Sequence, residues 1–535
     1  MTQSNSLRQG DWWRSAVIYQ VYPRSYMDAN GDGIGDIPGI TQRLPYIAEL
    51  GVDTVWLSPF FKSPMKDYGY DVSDYCDVDP IFGTLDDFDA MVARAHGLGL
   101  RIMIDQVLSH TSDQHPWFEE SRQNRDNPKA DWYVWADPKD DGSVPNNWQS
   151  VFGGTSWQWD SRRRQYYMHN FLVEQPDLNF HNPDVQDMML QTVQFWIDRG
   201  VDGFRLDTAN FYAHNPSLKD NPPHPDSLKK PVHERSYVPY DHQLHLHDKS
   251  QPENIRFMER LRALCEPHNI ALLGEIGDDD QFGRMKEYTA GNDRLHTAYS
   301  FGFLGKDKDA AFVRQALAPF VGSDSWPSWS LGNHDCHRLA TRWAEPGEDI
   351  ATQQALQCYA VLLLTMLGTP CIYQGEELGL PEAKLAFHEL VDPPGITFWP
   401  EPRGRDGCRT PMPWSSSAAD AGFGSESPWL PVRDTHRERA VDVQLVQSDS
   451  LLAFYQQLLA VRKAHPALGN GGFEWKDCAS GDALHFLRTG EGGDIAVVIN
   501  LGEQPLPLPK IQGQLVLGSA EKILSKYEFS VFAIG

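Results

Sequence analysis

Residues 182–207 have the sequence NPDVQDMMLQTVQFWIDRGVDGFRLD, which predicts a helix, a tight turn and a short buried strand in that order. Asn182 is expected to cap the helix, with a proline in its first turn, and Gly200 is expected to end it. Residues 201–206 then form an apolar strand, and Asp207 stands at its carboxyl end. This segment therefore predicts a helix–strand unit that presents a carboxylate where the strand ends.

The same order of elements recurs along the chain. Residues 83–105, GTLDDFDAMVARAHGLGLRIMID, repeat the helix, the glycine break and the apolar strand, and they end at Asp105. Two further predicted strands end at Glu275 and Asp335. The remaining strands are predicted at 17–21, 54–58, 298–303 and 371–375. About eight strands alternating with helices indicate an α/β fold, a (β/α)8 TIM barrel, in which active sites lie at the carboxyl ends of the strands. We therefore expect the four acids to meet at one mouth.

Two segments interrupt this alternation. Residues 111–178 are rich in Trp, Asn, Asp and Gly and are too long for a simple connection, which predicts a small inserted subdomain after strand 3. Residues 214–254 show little periodicity and are expected to overhang the mouth just after Asp207. Short alternating strands near the end of the chain predict an antiparallel β-sandwich. The predicted domains are a barrel formed by 1–110 and 179–467, the inserted subdomain 111–178, and a C-terminal β-sandwich domain 468–535.

Charge and hydropathy exclude several classes of partner. The 535 residues include 47 Lys and Arg against 73 Asp and Glu, a net charge of −26, so nucleic acid and anionic membranes are not expected to bind. The most apolar stretch, 360–367, is far shorter than the roughly 18 residues that a membrane span needs. No secretion signal is seen, and seven cysteines without CxxC pairing suit reduced thiols. A cytoplasmic location is expected, and the oligomeric state stays open, with a homodimer as one candidate.

The segment DANGDGIGD, residues 28–36, has the spacing of a calcium loop. Oxygen side chains stand at alternate positions, a glycine follows at the sixth and a backbone carbonyl at the seventh. Position twelve is Gly39, where an EF-hand requires a glutamate, so the pattern predicts a structural cation site and not an EF-hand switch. Calcium is favoured, with magnesium as the alternative. The predicted ligands are Asp28, Asn30, Asp32, the carbonyl of Ile34, and Asp36.

Paired acids at strand ends suit glycosidic chemistry. A retaining glycosidase needs an ionised carboxylate as nucleophile and a protonated carboxylic acid about 5 to 5.5 Å away. Arg205 lies two residues before Asp207 and so projects to the same side of the strand. We expect its charge to hold Asp207 ionised.

Four of these motifs carry a resemblance to a known family. The segments DQVLSH (105–110), GFRLD (203–207), ALLGEIGD (271–278) and NHD (333–335) resemble the four signature regions of the alpha-amylase family, glycoside hydrolase family 13. A further segment, QPDLNF (175–180), resembles a region found in its oligo-1,6-glucosidase and alpha-glucosidase subgroup. The resemblance covers nearly the whole chain.

The resemblance implies roles for individual residues. Asp207 would be the nucleophile, Glu275 the general acid/base and Asp335 the transition-state stabiliser. Further roles implied in substrate binding are those of His110 and His334 on glucose hydroxyls, Arg205 beside the nucleophile, Tyr70 as a stacking platform, and Phe152 and Phe171 as pocket lining. Arg409 would pair with Asp67 and block the far end of the pocket, so that one glucose is removed from the non-reducing end. Thr208, directly after the nucleophile, goes in this subgroup with α-1,4 preference.

The implied activity is that of a retaining exo-acting α-glucosidase. It would release α-glucose from short α-1,4-linked glucosides such as maltose through a β-glucosyl-enzyme, and transfer glucose to alcohol or phenol acceptors. An oligo-1,6-glucosidase, a trehalose synthase or a sucrose-acting enzyme shares these residues and stays open as an alternative. A non-catalytic transporter subunit and a calcium-regulated binding protein are more distant alternatives, because neither needs four acids at strand ends.

Overall fold

The structure, a computed structural model, describes residues 10–229 and 236–535. Residues 1–9, which belong to the segment searched for a secretion signal, lie outside these ranges. So do residues 230–235 of the 214–254 insert. The strands are β1 (Ile18–Val21), β2 (Thr54–Leu57), β3 (Phe61–Lys62), β4 (Asp74–Val78), β5 (Arg101–Gln106), β6 (Trp135–Ala136), β7 (Trp157–Asp160), β8 (Gln165–Met168), β9 (Gly203–Leu206), β10 (Ala271–Ile276), β11 (Thr297–Ser300), β12 (Ser328–Ser330), β13 (Thr369–Tyr373), β14 (Gly472–Trp475), β15 (Ala483–Thr489), β16 (Asp494–Asn500), β17 (Leu506–Pro507), β18 (Gln514–Gly518), β19 (Ile523–Leu524) and β20 (Phe529–Ile534). The α-helices are α1 (Trp12–Ser15), α2 (Ile37–Leu50), α3 (Leu85–Gly97), α4 (Pro116–Ser121), α5 (Pro183–Asp198), α6 (Pro225–Lys229), α7 (Pro252–Cys265), α8 (Gln281–Thr289), α9 (Ala310–Leu317), α10 (Leu339–Arg342), α11 (Gln353–Thr365), α12 (Pro393–Thr397), α13 (Asp434–Arg437), α14 (Val441–Leu445), α15 (Leu451–Ala464) and α16 (Ala467–Asn470).

Eight parallel strands form the central sheet in the order β11-β10-β9-β5-β2-β1-β13-β12. Each strand therefore lies beside its neighbour in the alternating series, and β1 lies beside β13. The two end strands approach each other, because Ala298 of β11 forms a parallel bridge to Pro327 just before β12. This nearly closed sheet confirms the predicted (β/α)8 barrel.

Local signals account for the helix–strand units. The side chain of Asn182 accepts a hydrogen bond from the Asp184 N–H and caps α5. Gly200, with a φ of +88°, lies in the turn between α5 and β9. Thr84 and Asp87 form a reciprocal capping box at the start of α3. Each cap satisfies N–H groups that the first helical turn leaves without partners, which is worth about 1 kcal/mol.

Aromatic packing joins these helices to the barrel. The Trp196 ring of α5 is fully buried, and its centroid lies 4.9 Å from that of Phe88 in α3. Phe60 and Phe61, which follow β2, contact the same ring. Burying a side chain of this size contributes about 1.5–3 kcal/mol, so this cluster fixes α3 and α5 against the strands that carry the acids.

Two excursions leave the barrel on the side of the mouth. Between β5 and β9 the chain forms α4 and a three-stranded antiparallel sheet in the order β6-β8-β7, with its own small core around Trp148 and Trp157. The hairpin of β3 and β4 follows β2 and carries residues 67–71 in its turn. Both excursions supply side chains to the mouth, as described below.

The C-terminal region forms antiparallel sheets. Five strands pair in the order β14-β15-β16-β20-β18, and β17 pairs with β19 in a ribbon. Ala483, Val498, Leu506 and Leu524 form a buried cluster between the sheet and the ribbon. The predicted C-terminal β domain is confirmed. Within the described ranges, no helix has the length and apolar character that crossing a bilayer requires.

Candidate active site

Four carboxyl groups lie at the carboxyl ends of the barrel strands, as predicted. Asp105 is the penultimate residue of β5, and Glu275 is the penultimate residue of β10. Asp207 and Asp335 lie in the loops that follow β9 and β12. Asp105, Asp207 and Glu275 are at most 6% exposed. The parallel strands thus bring the acids to one end of the barrel, where barrel active sites are formed.

The guanidinium of Arg205 lies at the centre of this group and is fully buried. Its Nη1 donates to Asp207 Oδ1 at 2.7 Å and to Asp105 Oδ1 at 2.8 Å. Its Nη2 lies 2.6 Å from Glu275 Oε1 and donates to the Tyr299 hydroxyl at 2.8 Å. Because Asp207 and Glu275 occupy the two terminal nitrogens of one rigid fork, their carboxyl groups are fixed side by side.

One cation faces three carboxyl groups here, and the balance of charge raises their pKa values. Burial raises the pKa of Asp207 to about 7, since the charges of Asp105 and Asp335 offset part of the attraction of Arg205. Burial also raises the pKa of Glu275 to about 7, and the charges of Asp207 and Asp335 act in the same direction. A raised pKa lets a carboxyl group act as an acid near neutral pH.

Asp335 differs from the other acids because it faces positive charge. Its Oδ1 accepts from Arg409 Nη2 at 2.9 Å and from Arg405 Nη1 at 3.4 Å, and its Oδ2 lies 3.2 Å from His334 Nε2. Although burial raises its pKa, the His334 ring and the two guanidinium groups outweigh that effect and hold the pKa of Asp335 below its usual range. Asp335 is therefore ionised at neutral pH.

The two predicted histidines are buried and neutral. His110 Nε2 donates to the Tyr70 carbonyl at 3.0 Å, so its Nδ1 accepts from the Ser109 hydroxyl at 2.8 Å. Burial lowers the pKa of His110 to about 4 and holds the pKa of His334 far below its usual range. His334 is fully buried, and its Nδ1 accepts from Gln20. Its contact with a sugar hydroxyl stays a prediction.

The prediction that Arg409 pairs with Asp67 is wrong, because Arg405 occupies that position. Arg405 Nη2 lies 2.7 Å from Asp67 Oδ1 and 2.6 Å from Asp392 Oδ1, and its backbone N–H also donates to Asp392. Arg409 instead donates to the His334 carbonyl at 2.7 Å and supports Asp335 from behind. The helical turn at 406–408 separates the two arginines and directs their side chains to different partners.

A cavity of about 770 Å³ opens above these acids. Asp207, Glu275, Asp335, Asp67 and Arg405 contribute to its lining. The other predicted residues in its lining are Tyr70, His110, Phe152, Phe171 and Thr208. Arg205, His334 and Arg409 lie behind this lining, and none of the three side chains is exposed. The structure therefore divides the predicted binding residues into a set that faces the cavity and a set that supports it.

Aromatic side chains form one wall of the cavity. The Phe152 and Phe171 rings meet edge to face with centroids 5.5 Å apart, and Phe171 also contacts His110. The Arg405 guanidinium lies 5.1 Å from the Phe152 centroid, which suits a cation–π contact. The Tyr70 ring stacks on His334, and its hydroxyl donates to Asp105 Oδ2 at 3.1 Å. This hydrogen bond orients the Tyr70 ring at the base of the cavity.

Thr208 has a strained backbone. Its φ of +41° lies in the left-handed region, which is costly for a β-branched residue. In this conformation its N–H donates to Glu275 Oε2 at 3.0 Å, and its hydroxyl lies 3.1 Å from Ser109 Oγ. The strain therefore serves the site, because it directs a backbone donor at the carboxyl group of Glu275.

The loop at 28–36 folds around its own oxygen side chains. Oxygens of Asp28, Asn30 and Asp32 accept backbone N–H groups of the same loop, and the carbonyl of Ile34 completes the predicted donor set. Asp36 caps α2 by accepting the Gly39 N–H at 2.7 Å. In the described ranges there is no cluster of three or more His, Cys, Asp or Glu side chains placed to hold a metal. The mixed set of carboxylate, amide and carbonyl oxygens nevertheless suits a hard cation chemically, and its binding stays a prediction.

Four residues of the site were not assigned a role from sequence. Strand register gives two of them, since Asp105 pairs with Arg205 across β5 and β9, and Tyr299 pairs with Glu275 across β10 and β11. Gln175 lies in the QPDLNF segment and donates to Asp67 Oδ2 at 3.2 Å. The fourth residue, Arg405, carries no local signal that separates it from Arg409.

Comparison with known proteins agrees with this geometry. A family model described as the alpha-amylase catalytic domain matches residues 20–471. A probable alpha-glucosidase of Rhizobium meliloti (strain 1021) is 52% identical over 511 residues, which cover 94% of this chain and 92% of that protein. An oligo-1,6-glucosidase of Parageobacillus thermoglucosidasius is 35% identical, with 97% and 95% of the two chains covered. A crystal structure of an alpha-glucosyl transfer enzyme, XgtA, is 49% identical with a TM-score of 0.92 and covers 98% of this chain and 100% of that one. The chain therefore belongs to the alpha-amylase family, glycoside hydrolase family 13, and is an enzyme of that family.

Proposed function

We propose that this enzyme is a retaining, exo-acting α-glucosidase that hydrolyses short α-1,4-linked glucosides such as maltose and transfers glucose to alcohol or phenol acceptors. The observation that carries the proposal is the placement of Asp207 and Glu275 on the two terminal nitrogens of the buried Arg205 guanidinium, at the base of one cavity. Two adjacent carboxyl groups of this kind are what a double-displacement mechanism requires.

The geometry supports distinct roles for the two acids. In the first step Asp207 attacks the anomeric carbon, and Glu275 donates its proton to the glycosidic oxygen as the bond to the leaving group breaks. In the second step Glu275 takes a proton from water or an acceptor hydroxyl, whose oxygen displaces Asp207 and releases α-glucose or an α-glucoside. Arg205 stabilises the ionised form of Asp207, whereas the Thr208 N–H and the Tyr299 hydroxyl orient Glu275.

The ion pair of Arg405 with Asp67 supports exo-action. Both side chains line the cavity, and Asp392 anchors the guanidinium from the far side. Three buried charged groups held together in this way form a rigid end to the pocket, so a longer chain has no path beyond the first glucose. Arg405 thus takes the blocking role that the resemblance implied for Arg409.

Thr208 supports the preference for α-1,4 over α-1,6 bonds. Replacement by valine keeps the β-branched shape at φ +41° but removes the hydroxyl that contacts Ser109 Oγ. We expect Thr208→Val to lower the ratio of kcat/KM for maltose over isomaltose by about five-fold, because one hydrogen bond is worth about 1 kcal/mol. Initial rates on both disaccharides measure this ratio, and Thr435→Val, on the partly exposed helix α13, is the control. An unchanged ratio in Thr208→Val would remove the residue from the account of linkage preference.

Transfer to acceptors is supported by the similarity of this chain to the alpha-glucosyl transfer enzyme XgtA. Hydrolysis and transfer share the glucosyl-enzyme and differ only in the hydroxyl that reaches it. The cavity lining includes Phe301, Leu304, Phe398 and Pro394, which offer apolar surface to an acceptor. Apolar surface around the acceptor position disfavours bulk water relative to an alcohol or phenol.

Proton NMR of the products tests the proposal. The purified enzyme is incubated with maltose, isomaltose, trehalose and sucrose in turn, with and without a phenol, and the anomeric signals are followed from the first minutes. We expect α-glucose to appear first, fastest from maltose, together with an α-glucosylated phenol. A preference for isomaltose or sucrose would favour the corresponding family alternative, and β-glucose as the first product would refute the retaining mechanism.

We propose in addition that Ca²⁺, with Mg²⁺ as the alternative, binds the loop of Asp28, Asn30, Asp32, Ile34 and Asp36 and stabilises it. Bound there, the cation would supply structural support and no chemistry. The cysteines are free thiols, which supports a cytoplasmic location because that compartment is reducing. Substrates and acceptors are the partners that the cavity suits, and a homodimer stays a possible assembly.

A further inference from the structure

The cavity lining includes two groups of residues from different parts of the chain, here called its walls. One wall, here called the cationic wall, consists of residues 301–306 and 336–342, which follow β11 and β12. A second wall contains Val238 from the 214–254 insert and residues 394–405. Asp207 lines the same cavity.

Both walls present apolar surface. Phe301 is 42% exposed and lines the cationic wall together with the buried Leu304. Phe398 lines the second wall, where its ring approaches Gly153, beside Phe152. Phe301 and Phe398 thus offer aromatic surface to a ring bound in the cavity, which favours an aromatic group there.

Two positive charges in the cationic wall lack the compensation that other cations of the site have. In the second wall Arg403 pairs with Asp241 at 2.9 Å, and Arg405 pairs with Asp67. Arg342 instead donates to the carbonyl groups of Gly305, Phe303, Leu331 and His337, and to the Cys336 thiol. Within residues 10–229 and 236–535, neither Lys306 nor Arg342 has a carboxylate within ion-pair distance, although the chain carries a net charge of −26.

The charges of Arg342 and Lys306 both act on His337, which also lines the cavity. Burial lowers the pKa of His337, and the charges of Arg342 and Lys306 lower it further. Asp335 is the ionised carboxylate of the inner cavity, and Arg405 and Arg409 already compensate it. The charge of Arg342 also acts on the buried carboxyl groups of Glu376 and Glu382, which lie outside the cavity lining. The exposed Lys306 is therefore the charge of this wall that has no carboxylate partner among the described residues.

We propose that the cationic wall binds a carboxylate carried on an aromatic ring, so that aryl carboxylates are preferred as the leaving or accepting part of the α-glucoside. Lys306 supplies an exposed ammonium that can contact the carboxylate, and Arg342 adds positive charge behind it. Phe301 and Phe398 hold the ring. This inference rests on the proposed α-glucosidase function and specifies the acceptor class of the same site.

The size of the effect follows from the exposure of Lys306. An exposed ion pair contributes up to about 1 kcal/mol, so its removal should change discrimination by about five-fold. Salt should weaken the same discrimination, because the Debye length falls to about 3 Å at 1 M salt.

A matched pair of substrates tests the proposal. The kcat/KM values of para-carboxyphenyl and para-carbamoylphenyl α-glucoside are compared, since the two rings have nearly the same shape and differ in charge. The measure is the carboxylate-to-carboxamide ratio in each variant, because differences in leaving-group chemistry cancel when variants are compared. The variants are Lys306→Gln, Lys306→Glu and the control Lys384→Gln, an exposed lysine paired with Asp349 outside the cavity.

We expect Lys306→Gln to lower the ratio about five-fold and Lys306→Glu to lower it further. High salt should lower the ratio more in the wild type than in Lys306→Gln, where only the more distant charge of Arg342 remains, and Lys384→Gln should keep the wild-type ratio. A ratio that stays unchanged in both Lys306 variants would overturn the inference. Maltose hydrolysis is measured in the same preparations to separate the two proposals. A wild-type enzyme that does not hydrolyse maltose would contradict the proposed function, whatever the ratio for the two aryl glucosides.

Discussion

At the scale of single residues, the site depends on one buried guanidinium. Arg205 contacts Asp105, Asp207 and Glu275 at the same time, so the carboxyl groups cannot all be ionised without excess negative charge in a buried site. The alternative of three acids with independent pKa values would need more cations than the inner site has. The contacts explain how one carboxyl group can serve as nucleophile while its neighbour keeps a proton.

This arrangement predicts how Glu275→Gln depends on the leaving group. We expect kcat for maltose to fall by about 10²–10⁴, because the departing sugar needs a proton from Glu275. The first step on para-nitrophenyl α-glucoside should lose much less, since that leaving group departs without a proton. Pre-steady-state release of nitrophenol measures this step.

Glu348→Gln serves as the control for Glu275→Gln, because Glu348 is exposed and lies away from the cavity. Its kinetics should match the wild type on both substrates. If Glu275→Gln slowed maltose hydrolysis and the first step on the nitrophenyl glucoside by the same factor, proton donation would not be the role of Glu275.

The positions of the acids could be predicted from the sequence better than those of the residues that support them. Asp207 and Glu275 end apolar strands, so alternation and barrel topology suffice to place them. The pairing of Arg405, and not Arg409, with Asp67 could not be predicted in the same way. The two arginines are four residues apart in a connection without periodicity, so no local pattern separates them. Only the tertiary position of Asp392 decides which guanidinium reaches Asp67.

Among the secondary-structure elements, short-range signals determine where a helix begins and ends. The cap of α5 and the glycine at residue 200 depend on neighbours within a few residues, and the structure has both where they were expected. Residues 374–450 contain only short helices, and their path over the mouth follows from contacts with distant segments. Such contacts leave no periodic trace in the sequence, so this connection could be predicted only through the resemblance.

The loop at 28–36 gives a prediction at this scale. Ca²⁺ at one hundred times its Kd should stabilise the fold by about 2.7 kcal/mol, and chelation should lower Tm accordingly. Asp32→Asn should remove much of this dependence while its side-chain oxygen still accepts the Ile34 N–H. Thermal unfolding with and without a chelator, at fixed ionic strength, provides the measurement.

Asp140→Asn is the control for the cation experiment, because Asp140 is an exposed residue outside the loop. It should keep the full response to Ca²⁺ and to the chelator. A wild-type Tm that does not change on chelation would contradict cation binding at residues 28–36.

At the scale of the whole molecule, buried titratable groups set the pH dependence of stability. Burial raises the pKa of Asp177 and of Glu376 to about 8, well above the unfolded values of about 4. Between these values the folded chain binds more protons than the unfolded chain, so stability falls as pH rises. We expect the free energy of unfolding to fall by about 1–2 kcal/mol between pH 7 and 8.

Histidines produce the opposite slope in acid. Burial lowers the pKa of His110 to about 4 and those of His214 and His436 to about 3. Below about 6.5 the unfolded chain binds protons at these histidines that the folded chain does not, an effect that lowers stability as pH decreases. This effect opposes that of the two buried acids and exceeds it only below about pH 6, so stability should be greatest at about pH 6.

Urea unfolding across pH 5 to 9 tests both slopes, and Glu376→Gln should flatten the alkaline one. A stability that rises from pH 7 to 8 would contradict the assignment of buried, protonated acids. These slopes belong to the whole fold, because the acids and histidines concerned lie in different parts of the barrel and its excursions.

In the proposed mechanism Asp207 forms the covalent bond to glucose while Glu275 transfers the proton. A fluorinated glucosyl fluoride that forms the glucosyl-enzyme quickly and releases it slowly can trap this state, and mass spectrometry of the digested protein locates the sugar. We expect one glucosyl group, bound to Asp207. A sugar on Glu275 or Asp335, or turnover that inverts the anomeric carbon without any trapped intermediate, would contradict it.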